Sequence, residues 1–266
     1  MTPAIWAERR PLVVLAFVVL AGCAGGCAGF WDEVMSRERN MHDYYHPPDP
    51  LVVIRDSTDG ERRAKALASL REPLQNGGKQ ADQDVYLNLL VSAARTDRDP
   101  NCRLGAIQAL GHFQDPRAAR ALEEVFQNTK LPFTADFNAM IRQTALRSIE
   151  KIGSDDSRQL LILVARQPSP APDASSVDRR QTQDEKLIAI RALGKYHQPE
   201  CVETLVSILE TERDVALRDR AHQSLQAATG KHLPPEAPTW RAALAGQPTN
   251  VPEPNLIQRV SGWMNK

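Results

Sequence analysis

The stretch Arg103-Leu104-Gly105-Ala106-Ile107-Gln108-Ala109-Leu110-Gly111 decides the fold. Its basic residue is followed at offsets of three, six and seven by Ala106, Ala109 and Leu110. Those offsets lie along one flank of an α-helix. Small side chains at the first two let a neighbouring helix approach closely, and the leucine fills a core. The pattern recurs as Arg63-Ala66-Ser69-Leu70 upstream. Downstream it reads Arg142-Ala145-Ser148-Ile149, Lys186-Ala189-Ala192-Leu193 and Arg218-Ala221-Ser224-Leu225. The five basic residues stand 40, 39, 44 and 32 positions apart. Self-similarity at this period marks a repeat architecture.

The middle repeats extend the match. Phe113, Ile152 and Tyr196 occupy equivalent apolar positions after the core leucine or isoleucine. Pro116, Asp155 and Pro199 then mark a turn and a new helix start, since proline is favoured at the first helical position. Leu122, Leu161 and Leu205, followed by Val125, Val164 and Ile208, give that second helix its own apolar stripe. The spacing predicts an all-α protein: a right-handed α-solenoid of about five helix pairs over residues 59–245. Its core is built on Ala66, Leu70, Ala106, Leu110, Ala145, Ile149, Ala189, Leu193, Ala221 and Leu225.

Three departures from the pattern are expected to fall in loops or at the end of the stack. Glu72 to Gln80 is an insertion between the first two helices, and Gln167 to Ser176 is a polar, proline-rich loop. The last second helix is broken by Pro234, Pro235 and Pro238. Trp240 falls at the position of Val125, where a large residue closes the core, as terminal repeats must.

Two antiparallel helices at this period resemble HEAT repeats, particularly the bacterial kind related to phycobilin-lyase repeats. Arg103 to Gly111 and Asp115-Pro116-Arg117-Ala118 carry that resemblance. It implies a long surface, formed by one helix of each pair, suited to gripping a protein or peptide. On the second helices the candidate binding surface is Arg117, Arg120, Glu124, Arg158, Gln159, Glu203 and Ser207.

The first residues read as an address. Arg9 and Arg10 precede an uncharged apolar run from Pro11 to Leu20. At 1.5 Å per residue this run is too short to span a hydrocarbon core of roughly 30 Å. It fits the apolar region of a signal peptide. Leu20-Ala21-Gly22-Cys23 follows at once and resembles the lipobox of bacterial lipoproteins at each position. The resemblance implies cleavage after residue 22 and acylation of Cys23 by palmitate-type chains, two of which are needed for stable anchoring. Cys27 is the weaker alternative acceptor, because Ala24-Gly25-Gly26 lacks the branched residue three places back.

Residues 1–22 are then a signal peptide, 23–58 a lipidated tether and 246–266 a linker with a short amphipathic helix. Ala24 after the cysteine implies the outer membrane, facing the periplasm, by resemblance to the sorting rule of two-membrane bacteria. Phe30-Trp31-Asp32-Glu33-Val34, with Thr229-Gly230 before Trp240, is similar to exported HEAT-repeat proteins of planctomycetes. In the C-terminal segment, Leu256, Ile257, Val260, Trp263 and Met264 fall on one helical face, expected to cap the last repeat or dock elsewhere.

The 33 basic residues are balanced by 33 acidic ones, which argues against a nucleic-acid partner. The four cysteines lack zinc-like spacing, and Cys102 and Cys201 are expected to stay unpaired. Among the six histidines, His42 and His46 stand four apart, but Pro47 and Pro48 favour a loop there. His112, His197, His222 and His232 occupy unrelated positions. HEAT-like di-iron hydroxylases use His-Glu dipeptides, and none occurs here. No nucleophile elbow, phosphate loop or His-Glu-x-x-His motif is present. The expectation is a non-catalytic scaffold in the cell envelope with no cofactor, no metal and an unknown protein or peptide partner. The alternatives are a lyase or cofactor chaperone related to phycobilin lyases, and a purely structural subunit of an envelope complex.

Overall fold

The computed structural model describes residues 48–128, 132–170 and 173–248. The chain divides into two parts, Met1–Asp49 and Pro50–Lys266, and every described helix belongs to the second. Among the described residues there are 11 α-helices and no strand. None of the described helices is long and apolar enough to cross a membrane.

The first helices of the repeats are α2 (Gly60–Ser69), α4 (Pro100–Leu110), α6 (Ala135–Ile152), α8 (Ser176–Leu193) and α10 (Val215–Thr229). Each packs on the next, forming one layer. The second helices are α3 (Gln80–Thr96), α5 (Pro116–Gln127), α7 (Arg158–Ala165), α9 (Pro199–Thr211) and α11 (Ala237–Leu244). They line up as the other layer. Across the layers, each of α3, α5, α7 and α9 packs more broadly on the first helix of the following repeat than α4 or α8 does on its own second helix. The repeats are therefore interlocked, with no boundary at which the stack divides.

An additional helix, α1 (Pro50–Asp56), packs on α2. It falls within residues 23–58, the segment read from the sequence as a tether. Its short run Leu51-Val52-Val53-Ile54 places Leu51 and Ile54 against the core, while its proline-flanked start resembles a linker in composition.

Local chemistry sets the helix starts. Asp59, Asp99, Asp115 and Asp214 each accept a hydrogen bond from a backbone N–H two residues on. That satisfies a donor the helix itself cannot. Pro100, Pro116 and Pro199 stand at first-turn positions where no N–H is needed. At the other end, α6 and α10 stop at Gly153 and Gly230, both at positive φ (66° and 69°), a conformation a Cβ disfavours.

Close approach explains the small residues. A Cβ on Gly105 would lie 2.4 Å from the backbone oxygen of Ala64 on α2. The next contact in the layer is similar: Gly111 faces Ser148, whose hydroxyl donates to the Ile107 carbonyl at 3.0 Å. A small polar residue thus serves as a spacer and as a tie to the preceding repeat. All ten core positions read from the repeat are buried, from Ala66 and Leu70 through to Ala221 and Leu225. Each Leu or Ile among them contributes about 1.5–3 kcal/mol of burial. Phe113, Tyr196 and Trp240 are buried beside them, and the Trp240 indole N–H donates to the Pro234 carbonyl at 2.9 Å.

The insertion in the first repeat is an ordered turn with a 3-10 segment, Leu74–Asn76. The buried Glu72 carboxylate anchors it, accepting from Gln83 Nε2 at 2.7 Å and from the Gln114 N–H at 2.8 Å.

Candidate functional site

The repeated basic residue acts between helices. Arg63 donates to Asp97 at 2.7 Å, and Arg103 donates through Nε to the Asp97 carbonyl at 2.7 Å. Asp97 is the residue that ends α3. Arg142 repeats the arrangement one step on: its guanidinium donates to the Phe126 carbonyl at 2.6 Å and, through Nε and a terminal nitrogen, to both oxygens of Glu185 at 2.8 Å. Its charge also lies 4.1 Å from the centre of the Phe126 ring, and that of Arg103 lies 4.7 Å from the Phe133 ring. Lys186 closes on Glu212 at 2.5 Å, at the end of α9. A cation at the carbonyl end of a helix satisfies orphan acceptors and opposes the helix dipole. Arg218, in the last repeat, is exposed. The sequence pattern showed a basic residue at this position but not its job: Asp97 and Glu212 end the second helix of the same repeat, whereas Glu185 stands on the first helix of the next.

The candidate binding surface on the second helices is laced together. Arg117 reaches back to Asp84 of α3 at 2.7 Å and to its own helix cap Asp115 at 2.8 Å. Glu124 pairs with Arg95 of α3. Arg158 donates to Glu200 of α9 at 2.5 Å, and Gln159 to the other oxygen of that carboxylate at 3.1 Å. Glu203 accepts from Arg241 of α11, which also holds Glu210 at 2.6 Å. Arg120 is exposed. Arg158 and Ser207 are half-buried, less open than their helical positions suggested: Arg158 is drawn to Glu200, and Ser207 lines a groove beyond α7.

The ladder shifts its titrating groups in the expected directions. Hydrogen bonds with Asp115 first, then Asp84, raise Arg117 above the ordinary arginine value. The hydrogen bond from Arg117 holds Asp84 below the carboxylate range, and the same guanidinium lowers Asp115. Hydrogen bonds with Glu200 and Glu210 raise Arg158 and Arg241 respectively. Apart from the partly buried Asp115 and Arg158, the side chains of these pairs are solvent-exposed and screened, so they set register between neighbours more than they add stability.

Helix α7 has 8 residues, against 12 in α5 and 13 in α9, because its first turn, Asp155–Ser157, is a 3-10 segment. Beyond its last residue lies a groove of about 690 Å³, lined among others by Arg166, Pro168, Ser169, Lys186, Ile208 and Arg213. Sequence reading placed the proline-rich loop here but not the groove; a short apolar run ending in Gln167-Pro168-Ser169-Pro170 was the available signal.

The described histidines are used separately. His112 lies against Lys151 Nζ at 2.8 Å, and burial, then the charges of Lys151 and Arg71, push its pKa down. His197 and His222 each contact a backbone carbonyl, of Ala228 and Leu233. His232 is exposed. Among the described residues, no group of three or more His, Cys, Asp or Glu side chains is placed to hold a metal ion. Cys102 and Cys201 are buried free thiols, and burial pushes both up to about 11. Leu20, Ala21, Gly22, Cys23, Cys27, His42, His46 and the C-terminal residues 255–266 lie outside the described residues.

Residues 48–135 match the family model for HEAT repeats. The matched stretch spans α1 to α5, including the helix from Pro100 to Leu110 whose sequence set the repeat. With the interlocked layers of α2 to α11, it supports reading the chain as a HEAT-repeat protein with an α-solenoid fold. No curated protein matches the chain.

Proposed function

We propose that the chain is a non-catalytic protein-interaction scaffold, lipid-anchored at Cys23 in the bacterial cell envelope and facing the periplasm from the outer membrane. The observation that carries the interaction reading is the row of α3, α5, α7, α9 and α11, matched over its first part by HEAT repeats. Such a row offers one long surface, and cross-repeat ion pairs hold its helices in register, so a partner meets a preorganised face. The anchor is supported by the basic residues Arg9 and Arg10, the short apolar run and Leu20-Ala21-Gly22 directly before the Cys23 thiol.

Two measurements test the halves of this reading. Cells fed labelled palmitate should incorporate it into the wild-type chain and into Cys27→Ser, but not into Cys23→Ser, which should accumulate as uncleaved precursor. Label retained by Cys23→Ser but lost by Cys27→Ser moves the acceptor; label indifferent to both changes removes the anchor. Separately, crosslinking in intact cells should retain a partner on the wild-type chain that is lost when Arg117, Arg120 and Gln159 are replaced together by alanine. A partner held equally well by that variant would move the interaction away from the second-helix face.

A further inference from the structure

The groove beyond α7 differs electrostatically from the rest of the row. Its two acidic residues are already committed. Glu212 holds Lys186 and accepts from the Arg213 N–H at 3.0 Å. Asp214 caps α10 through the N–H groups of Ala216 and Leu217, and accepts from Gln183 Nε2 at 2.6 Å. Arg166 and Arg213 are exposed on the same groove, and neither guanidinium has a carboxylate partner among the described residues. On neighbouring second helices Arg117, Arg158 and Arg241 are each held by acidic residues, whereas exposed Arg120 lies outside the groove. The groove thus holds two uncompensated guanidinium groups beside buried Ile208 and exposed Pro168.

We propose that this groove takes an acidic, extended peptide segment of a partner protein, with the segment's carboxylates meeting Arg166 and Arg213. The inference rests on the scaffold reading and names the chemistry of its partner. The planar fork of a guanidinium matches a carboxylate through two parallel hydrogen bonds. An extended chain suits the space better than a helix, whose width with side chains is about 10–12 Å. The apolar surface of Pro168 and Ile208 receives a side chain next to the acidic one, and the capped helix ends around it are fixed before the partner arrives.

The test uses the full chain in detergent micelles and fluorescein-labelled decapeptides of alternating glutamate and serine, or of glutamine and serine. Fluorescence anisotropy should show saturable binding of the glutamate peptide that weakens with salt and is at least ~10-fold tighter than that of the glutamine peptide. The double substitution Arg166→Glu with Arg213→Glu should abolish it, whereas Arg147→Glu, on exposed α6 surface outside the groove, should leave it unchanged. All three positions are exposed, and unchanged thermal melts will show that the variants fold. The proposal is overturned by absence of saturable binding to the wild-type chain, by equal affinity for the two peptides, or by undiminished binding to the double variant. It is also overturned by a single-stranded oligonucleotide of the same length that binds more tightly and is lost with the same substitutions. The scaffold reading is tested apart from this: a partner crosslinked equally to wild type and double variant sinks the groove and leaves the scaffold, whereas peptide binding with no crosslinked partner does the reverse.

Discussion

Arg142 and Glu185, on neighbouring first helices, meet through two parallel hydrogen bonds of 2.8 Å, and the carboxylate side chain is only 3% exposed. The same guanidinium reaches the Phe126 carbonyl on a second helix, so one side chain ties three helices from different repeats. Glu185→Ala leaves this cation buried without its counter-charge and should destabilise the chain by roughly 3–5 kcal/mol. Arg142→Met combined with Glu185→Leu removes both charges and should cost less than the single change. Urea unfolding of the single and double variants measures both. A double variant no better than Glu185→Ala would show that the pair stabilises by shape and packing, not by charge compensation.

The close-packed register predicts a sharp split in tolerance. Ala106, Ala145 and Ala189 are all fully buried at equivalent sites, and leucine at any of them should cost roughly 1–3 kcal/mol by overpacking. Gly105→Ala should fall in that range too, because its Cβ would meet backbone, which cannot swing aside. Gln108→Ala, on the exposed side of the same helix, should stay within about 0.5 kcal/mol. Arg191→Ala removes a pair of short bonds to Glu150, half-exposed to water, and should cost below ~1 kcal/mol. Equal thermal melts for the buried and exposed sets would refute the register.

Acid should loosen the stack between α8 and α9. Burial opposes ionisation of Glu212, but the hydrogen bond and charge of Lys186, helped by the N–H groups of Arg213 and Asp214, outweigh it and hold the carboxyl below the usual glutamate range. A carboxyl whose folded pKa is depressed adds stability that is complete above its unfolded value, about 4.3, and is lost as pH falls through the folded value. Glu212→Gln should therefore be less stable than wild type at neutral pH, and the two should converge as pH drops below about 4. Melts from pH 7 to pH 3 would decide; a difference that stays constant across that range would mean the residue acts without its charge.

Much of this architecture is legible in five short sequence windows. A basic residue, two small residues and a Leu or Ile at fixed offsets gave the first-helix layer, because only a helix brings those offsets to one flank. What stayed hidden depends on distance in sequence. The partners Asp97, Glu185 and Glu212 lie 34, 43 and 26 residues after their cations, and no local pattern links them. The seven surface residues were chosen by helical position alone, which reports that a side chain faces outward but not that the next helix over supplies its counter-charge. The groove beyond Ala165 was invisible for a related reason: its walls come from the loop after α7, from α8 and from the end of α9, segments far apart in sequence.

The end of the stack bears on the C-terminal segment. Trp240 is fully buried, tied by its indole N–H to Pro234 and set edge-on to the His222 ring at 6.1 Å. The far side of α10 presents exposed Arg218, Asp219 and Gln223, a polar surface of the kind that lets a terminal repeat meet water. The core is thus closed before residue 249, and removal of residues 249–266 should shift the melting temperature by less than about 2 °C, equivalent to less than ~1 kcal/mol for a domain of this size. Leu256, Ile257, Val260, Trp263 and Met264 would then be available for a surface other than their own last repeat. A drop of ~5 °C or more on truncation would instead assign those apolar residues to the cap and leave no free docking helix at the C-terminus.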